Sequence, residues 1–554
     1  MPTAADLLRQ GRSEDIWQRY CGFTDLNLEQ FMTIQKRLLL EQIELLNASP
    51  LGARIMGGNR PETIEEFRQC APLTTYSDYC PELLEQREDM LPVKPAMWVH
   101  TSGRSGEYPF KWIPLTPAFA EALSITLYGV GNLSHCRERG DTTRLTPHPK
   151  VVYTVAPRPY ISGTMASLIE MQTPLDFFPQ LEKAENLTFD ERIKLGFQQS
   201  LSAGMDYFFG LSLVLVAVGE KFQQSSAKVD LRPYLKHPKA LLRLARGVAK
   251  SRMARRSLLP RDLWQVRGII SSGLDSWVYR DRIRELWGRY PLDIYAGSEG
   301  GVYATQTWDF SSMTFIPNLN FLEFIPEEEH FKWQLDRSYP CRTVLLDEVR
   351  PGENYELVIT NFHGGALVRY RVGDLVKITA LRNERLGIEL PQMVFERRAD
   401  GLLDFNVIRL SEKEIWQALE NTGIGYADWM ALKNTGDMSL HLFVELKNGS
   451  QVSEEALATA VYDQLARSDS DSAGTEMLDD TFRMHGFGIK VKLLPRGTFA
   501  SYTAARQAEG ADIAHIKPPH INPSKRVLSM MGISAGRQGV EIRGSEEADK
   551  VAAS

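Results

Sequence analysis

Three short segments of this chain combine glycine with side chains that bind phosphate, metal or ribose. The first is Thr101-Ser-Gly-Arg-Ser-Gly106, followed by Lys111. Its glycines let the backbone approach phosphate oxygens, while hydroxyl and N–H groups can surround them. A Walker loop ends in Gly-Lys-Ser/Thr and opens a helix, whereas Lys111-Trp-Ile-Pro114 reads as a strand closed by proline. The segment therefore predicts a different phosphate loop, with an ordinary polar turn as the alternative.

The second segment is Leu292-Asp-Ile-Tyr-Ala-Gly-Ser-Glu-Gly-Gly301. An apolar strand runs into a glycine-rich turn that presents Ser298 and Glu299 at its edge. A carboxylate in such a place can bind Mg²⁺ that already bridges nucleotide phosphates. A turn with a solvated glutamate is the alternative.

The third segment, Leu367-Val-Arg-Tyr-Arg-Val-Gly-Asp374, predicts a strand that leads into a turn and leaves an aspartate at its end. An aspartate placed in this way can accept hydrogen bonds from both ribose hydroxyls of a nucleotide. A turn-capping aspartate is the alternative.

The order and separation of the three segments are more specific than any one of them. Tyr295-x-x-Ser-Glu299 follows the first loop by about 190 residues, and Tyr370-Arg-x-Gly-Asp374 follows about 75 residues later. A basic hinge and a small C-terminal region come next. This arrangement resembles the acyl-adenylate-forming superfamily.

Flanking sequence resembles the acyl acid amido synthetases, the plant enzymes that conjugate auxin or jasmonate to amino acids, and their bacterial relatives. The resemblance covers most of the chain. Phenylacetate-type CoA ligases share the second and third segments and are the nearest rival. The flanking segments are Ala71-Pro-Leu-Thr-Thr-Tyr-Ser-Asp-Tyr79, Ile316-Pro-Asn-Leu-Asn-Phe-Leu-Glu-Phe324, Val358-Ile-Thr-Asn361 and Gly510-Ala-Asp-Ile-Ala-His-Ile-Lys-Pro-Pro519.

The resemblance implies ATP and Mg²⁺ as cofactors and gives each matching residue a role. Lys517 is the candidate for the C-terminal lysine that reaches the α-phosphate, and Glu299 is the metal ligand and a catalytic residue together with Ser298. Tyr295 would pack near the adenine, Asp374 would hold the ribose, and Arg398 or Arg397 would reach the ribose or phosphate. The remaining nucleotide-binding candidates are Thr101, Ser102, Gly103, Ser105, Gly106, Gly273, Ala296 and Gly297.

Two features of the first loop depart from the family pattern. Arg104 stands where the family usually has threonine or serine, and Glu107-Tyr-Pro-Phe separates the loop from Lys111. Arginine can serve as a bidentate phosphate ligand, or it can mark a site with altered nucleotide handling.

Element patterns predict a mixed α/β chain of two domains. A large N-terminal domain, residues 1–396, has sheets flanked by helices, and a small α+β domain, residues 397–535, follows it. The family resemblance implies that the large domain is the adenylate-forming domain and that the small domain moves about a hinge near Asp400. Residues 536–554 are polar and predict a disordered tail.

The acyl pocket is expected between about Pro117 and Gly273. Most aromatic residues of that region are expected in the core, and His100 is more simply a packed histidine than a substrate contact. The aromatic candidates for the pocket are Tyr128, Tyr153, Tyr160, Phe177 and Phe178.

Composition favours small soluble ligands. The chain has 554 residues and a formal net charge of −6, which gives no reason to expect a nucleic-acid or membrane partner. Its five cysteines are scattered along the sequence, which fits a reducing cytoplasm. One basic run, from Lys228 to Arg261, is interpreted as a solvated helix face, with nucleic-acid or membrane contact as the alternative.

Three functions remain open from the sequence. The leading one is an ATP-dependent ligase that activates a small carboxylic acid as acyl-AMP and transfers it to an amine, such as an amino acid. A CoA or carrier-protein ligase that forms a thioester is the alternative, and a non-catalytic nucleotide-binding relative is the third.

Overall fold

A computed structural model describes most of the chain and divides it into two compact units, Met1–Ala399 and Asp400–Ser554. The hinge motion expected near Asp400 stays a prediction. The described residues are 2–100, 111–225, 237–271, 276–336, 338–399, 403–405, 408–410, 412–434, 439–467, 487–508, 520–523, 525–536 and 539–542.

The first unit is built on one 11-stranded sheet and a separate two-stranded hairpin. The hairpin is β1 paired with β2, and the large sheet has the order β10-β11-β12-β13-β9-β8-β7-β6-β5-β3-β4. The strands are β1 (Met97–His100), β2 (Trp112–Leu115), β3 (Lys150–Tyr153), β4 (Asp176–Phe178), β5 (Tyr207–Gly210), β6 (Gly268–Ser271), β7 (Leu292–Gly297), β8 (Gly301–Gln306), β9 (Met313–Phe315), β10 (Asn320–Pro326), β11 (Asn354–Asn361), β12 (Tyr370–Ala380) and β13 (Gln392–Arg398).

Strand β7 is the junction between two kinds of sheet. It pairs in parallel with β6 and antiparallel with β8. On one side β3, β4, β5, β6 and β7 are all parallel, and on the other side β7 to β13 are antiparallel. Ligands of open parallel sheets bind beyond the carboxyl ends of the strands, where topology changes. The Ser298-Glu299 turn follows the carboxyl end of β7.

Helices of the first unit pack mainly through apolar faces. The sequence predicts a helix from Leu28 to Leu46 with Asn27 as its cap, and the longest helix, α3, begins there. The Asn27 side chain accepts a hydrogen bond from Gln30 N and caps α3. The helices are α1 (Ala4–Arg9), α2 (Ser13–Tyr20), α3 (Leu28–Asn47), α4 (Pro50–Ile55), α5 (Ile64–Cys70), α6 (Pro117–Leu133), α7 (Ile161–Ile169), α8 (Leu181–Ala184), α9 (Phe189–Ala203), α10 (Ser212–Ser225), α11 (Pro238–Met253), α12 (Pro260–Leu263), α13 (Ser276–Trp287) and α14 (Glu327–Leu335).

Two buried ion pairs fix the start of β12. Arg369 Nε lies 2.9 Å from Glu323 Oε2 on β10, and its Nη1 donates to the backbone oxygens of Arg68 and Ala71 at 2.7 Å each. Burial opposes ionisation of Glu323, but Arg369 outweighs it and holds the pKa of that carboxyl below its usual value. The C-terminal end of α5 is thereby joined to β10 and to the start of β12.

The second ion pair joins Arg371 to Glu356 on β11, at 2.5 Å, with both side chains buried. The guanidinium carbon also lies 3.6 Å from the centre of the Trp333 ring on α14. Since the guanidinium is engaged by these scaffold groups, Arg371 holds the strand in place.

The second unit contains a three-stranded sheet, of order β16-β17-β18, and two short hairpins. Gly539–Ile542 pairs with Ile533–Gly536, so part of the segment expected to be disordered forms a strand. The elements are β14 (Leu403–Phe405), β15 (Ile408–Leu410), α15 (Glu412–Asn421), β16 (Tyr426–Asn434), β17 (Ser439–Leu446), α16 (Glu454–Arg467), β18 (Gly488–Leu494), α17 (Thr498–Ala508), α18 (Lys525–Met530), β19 (Ile533–Gly536) and β20 (Gly539–Ile542).

His520 joins three parts of the second unit. Its Nδ1 lies 2.6 Å from Glu412 on α15, its Nε2 lies 2.8 Å from Asp428 on β16, and its ring stacks on Trp429. Burial lowers the pKa of His520, but the hydrogen bonds to Asp428 and Glu412 outweigh it and raise the pKa to about 9. The imidazolium is thus the form that these contacts favour.

Within the described ranges, no helix is both long and apolar enough to cross a membrane.

Replacing Arg369 by methionine should lower the free energy of unfolding by about 3–5 kcal/mol, because Glu323 would keep its burial and lose its main partner. Urea unfolding of the full chain measures this change. Arg382→Met removes an arginine whose ion pair with Glu384 is exposed, so this matched control should not change the unfolding midpoint measurably. Equal effects of the two variants would contradict the role given to Arg369.

The His520 contacts should make the stability of the second unit depend on alkaline pH. The pKa of His520 rises from 6.5 to about 9 on folding, so the stabilisation is complete below pH 6.5 and is lost as pH rises through 9. Thermal unfolding of the full chain across this range should show a decline that His520→Asn abolishes. A decline of the same size in the variant would assign it to other groups.

Candidate active site

The glycine-rich turn after β7 is held in a shape that side chains larger than glycine would prevent. Gly301 has a φ of +71°, a backbone conformation that favours glycine. A Cβ atom on Gly300 would lie 2.5 Å from the Tyr303 ring and 2.8 Å from Ile359. The turn therefore needs its glycines for close packing as well as for backbone conformation. Ser298 is buried and Glu299 is half-buried at this place.

Two asparagines hold the same turn by its backbone. Asn361 Nδ2 donates to Glu299 O at 2.8 Å, and Asn320 Nδ2 donates to Gly300 O at 2.7 Å. Asn361 Nδ2 also lies 2.9 Å from Asn320 Oδ1. Because both side chains are buried, these hydrogen bonds are protected from water and fix the position of Glu299.

A hydrogen bond connects the second and third sequence segments. Tyr295 Oη on β7 donates to Asp374 Oδ2 on β12, at 2.9 Å, with both residues buried. The Tyr295 ring packs against Tyr303, with ring centres 4.9 Å apart, and Phe395. The residues expected near adenine and ribose are thus direct neighbours, although they are 79 positions apart in the sequence.

The sequence predicts Asp374 at the end of a strand, but the structure places it inside β12, which runs from Tyr370 to Ala380. Gly373 has a φ of +78°, and the pairing of β12 shifts register between Leu375 and Val376. This irregularity redirects the strand and lets it continue to Ala380. In the same ladder the backbone of Asp374 is paired with that of Arg398, so the β12–β13 pairing brings these two candidates together.

The residues on either side of the first glycine-rich loop pair as a hairpin. His100 is opposite Trp112, and Tyr76 Oη accepts a hydrogen bond from Trp112 N at 2.7 Å. Lys111 Nζ lies 5.6 Å from the centre of the Tyr76 ring. His100 itself is buried against Trp112 and Tyr160, in agreement with a packed histidine.

Several candidates lie outside the described residues, and their roles stay predictions. These are Thr101, Ser102, Gly103, Arg104, Ser105, Gly106, Gly273 and Lys517.

An apolar cavity of about 60 Å³ lies between α6 and the parallel strands. Two of the five aromatic candidates for the acyl pocket, Tyr128 and Phe177, line it. Ala296, next to the glycine-rich turn, packs against the cluster of buried apolar side chains that includes Tyr128 and Phe177. Of the other three, Tyr153 is fully buried and donates its hydroxyl to Ala156 O, and Tyr160 and Phe178 are half-buried outside the lining.

Glu299 suits a magnesium ion that is held mainly by phosphates and water. Mg²⁺ in nucleotide sites commonly takes one or two protein carboxylates. Within the described ranges, no three metal-ligating side chains cluster, so the described residues form no closed metal cage. This donor set fits a metal that arrives with a nucleotide.

Asn320 and Asn361 are the site residues that the motifs did not identify. Both occur in segments that carry the family resemblance. The position of an asparagine within a strand does not indicate that its side chain holds a distant turn. Their partners are backbone oxygens from another strand connection, which only the folded sheet brings close.

The chain matches the GH3 family central domain over residues 313–398, which covers β9 to β13 and Asp374. It is 28% identical over 234 residues to 4-substituted benzoates-glutamate ligase GH3.12 of Arabidopsis thaliana, covering 40% of this chain and 38% of that protein. It is 28% identical over 265 residues to jasmonoyl–L-amino acid synthetase JAR4 of Nicotiana attenuata, covering 46% and 43%. The matched region spans less than half the length of these curated relatives.

Solved structures share the fold over a larger part of the chain. An AtGH3.15 acyl acid amido synthetase in complex with 2,4-DB is 16% identical, has a TM-score of 0.50 and is covered to 95% in both chains. A 2-hydroxyisobutyryl-CoA ligase in complex with 2-HIB-AMP and CoA is 17% identical, has a TM-score of 0.51 and covers 86% of this chain and 88% of its own. The chain therefore shares the mixed α/β architecture of these two enzymes, and its residues 313–398 are similar to the GH3 family central domain.

Proposed function

We propose that this chain activates a small carboxylic acid as acyl-AMP and transfers the acyl group to an amine, with an amino acid as the expected acceptor. The observation that carries the proposal is the hydrogen bond from Tyr295 to Asp374, which unites two nucleotide-binding segments at the topological junction of the sheet. The names of the curated GH3 relatives, a benzoate–glutamate ligase and jasmonoyl–amino acid synthetases, support an amide product.

In the first step, a carboxylate oxygen attacks the α-phosphorus of ATP, and the bond to the bridging oxygen breaks to release pyrophosphate. Two anions meet in this step, so groups that offset their repulsion govern the rate. Mg²⁺, when bound, supplies positive charge to the phosphates. Glu299 would hold that ion, and its backbone is already fixed by Asn361. Asp374 would accept hydrogen bonds from the ribose hydroxyls, and Ser298 would lie near the α-phosphate.

In the second step, the neutral amine attacks the acyl carbon, AMP leaves, and the nitrogen loses a proton. The mixed anhydride also reacts with water, so the second unit would close over the site and then rotate near Asp400 to admit the amine. Lys517 would contact the α-phosphate in the first arrangement, and Arg398 would contact the ribose or phosphate. Five free cysteines accord with the cytoplasmic location that we propose.

The apolar cavity beside Tyr128 and Phe177 supports a location for the carbon skeleton of the acid. It lies on the face of the sheet covered by α6, and its cluster extends to Ala296 beside the turn. An apolar lining favours the uncharged part of an acid and leaves the carboxylate for the phosphate end of the site.

Pyrophosphate release from ATP tests the function directly, with aryl and aliphatic acids supplied alone, with mixed amino acids or with CoA. We expect release to require an acid and to rise with amino acids, and Glu299→Gln to lower the rate about 100-fold by removing a metal ligand. Glu328→Gln, on an exposed glutamate of α14, is the matched control and should act like wild type. A rise with CoA only would move the assignment to thioester ligases. Silence of the wild type with intact ATP binding would favour the non-catalytic alternative.

Replacing Tyr295 by phenylalanine should raise the KM for ATP about ten-fold, because Asp374 would lose the donor that orients it towards ribose. The matched control is Tyr20→Phe, which removes another buried hydroxyl, bonded to Gln172 Oε1 at 2.6 Å. Both variants should lose similar stability in urea unfolding, and only Tyr295→Phe should change the KM. An unchanged KM would show that the hydrogen bond serves the scaffold alone.

A further inference from the structure

Helix α11 presents an unusually one-sided charge for an acidic chain. From Pro238 to Arg261 the sequence contains no aspartate or glutamate, whereas the whole chain carries a formal net charge of −6. The basic residues of α11 and its C-terminal extension are Lys239, Arg243, Arg246, Lys250, Arg252, Arg255 and Arg256.

One face of α11 belongs to the core of the first unit. Ala240 and Leu244 are buried in an apolar cluster with Leu258 and Trp264. A Cβ atom on Gly247 would lie 2.6 Å from Leu263 of α12, so the two helices pack closely there. This face fixes the rotation of α11 about its axis and hence decides which residues point outward.

Two of the basic residues stabilise the fold. Arg243 Nη1 donates to Ser200 O at 2.7 Å, and Arg256 forms a bidentate pair with Asp262. The other five are exposed and form no ion pair with any residue in the described part of the chain; they are Lys239, Arg246, Lys250, Arg252 and Arg255. Their charge is available to a partner.

The outermost line of α11 is apolar. Leu242, Ala245, Ala249 and Met253 follow one another at spacings of three and four residues, opposite the buried face. Leu242 is 52% exposed and Met253 is 86% exposed. Arg246 and Lys250 flank this line on one side, and Arg252 flanks it on the other.

From this arrangement we infer that α11 binds the surface of an anionic phospholipid leaflet. A helix that lies in a membrane interface inserts an apolar stripe between the acyl chains, while flanking lysines and arginines contact anionic headgroups. The duplex backbone of a nucleic acid would instead be met best by cations at the outermost positions, where α11 has leucine, alanine and methionine. This inference concerns a face of the first unit and does not depend on the proposed chemistry.

Cosedimentation of the full chain with vesicles tests the inference. We expect binding to vesicles of equal parts phosphatidylcholine and phosphatidylglycerol, weakening as salt rises, and little binding to phosphatidylcholine alone. Each basic residue near an anionic leaflet contributes about five-fold in partitioning. The triple variant Arg246→Glu, Lys250→Glu, Arg252→Glu should therefore bind about 100-fold more weakly or worse.

A second triple variant, Lys36→Glu, Arg60→Glu, Lys183→Glu, changes the net charge equally at exposed positions elsewhere and should bind like wild type. The apolar variant Leu242→Ser, Met253→Ser should weaken vesicle binding about ten-fold and leave any affinity for duplex DNA unchanged. All variants change exposed side chains, and their thermal midpoints show whether they are folded. Equal binding to neutral vesicles, equal loss in both triple variants, or binding to DNA but not to vesicles would overturn the inference.

Discussion

The position of strand β12 depends on two buried arginines near its start. Arg369 pairs with Glu323 and donates to two backbone oxygens at the C-terminal end of α5, and Arg371 is held between Glu356 and the face of Trp333. Desolvating such charges costs several kcal/mol per ion, which only this density of partners offsets. The strand therefore has one favourable register, and that register places Asp374 beside Tyr295 on β7. A buried electrostatic network within the scaffold thus determines where the ribose candidate lies.

The change from parallel to antiparallel pairing at β7 explains why the candidate residues meet there. The parallel strands β3 to β7 end at the same edge of the sheet, whereas successive antiparallel strands run alternately towards and away from that edge. Asn320 and Asn361, which belong to antiparallel strands, can therefore hold the turn after β7. The same turn lies at the edge where the parallel strands end. The glycines make this possible because any larger side chain would collide with Tyr303 or Ile359.

Regular periodicity made much of the fold predictable from sequence. The sequence predicts helices at Leu28–Leu46 and about Ser411–Asn421 and strands at Asn320–Ile325, Tyr355–Thr360 and Leu440–Leu446. The limits of α3, α15, β10, β11 and β17 agree with these within a few residues, since each is a continuous element with a clear apolar face. The course of β12 through Asp374 was not predictable, because Val-Gly-Asp is typical of a turn and only pairing on both sides converts it into a bulged strand. Likewise Arg371 belongs to a sequence motif typical of nucleotide sites, and its ion pair with Glu356 was not predictable because Glu356 lies on another strand.

The hydrogen-bonding capacity of a side-chain amide explains why asparagine occurs in two family-like segments that carry no chemistry of their own. A side-chain amide can donate to a backbone oxygen and accept from a backbone N–H at once, and Asn361 does both, towards Glu299 O and from Leu367 N. An aspartate of equal size could not donate to the turn, and a shorter residue would leave two buried oxygens without their donor. Asn361 therefore couples the metal-binding candidate of the second segment to the strand connection that leads into the third. The candidate residues of the two motifs keep a fixed relative position because the scaffold between them is shared.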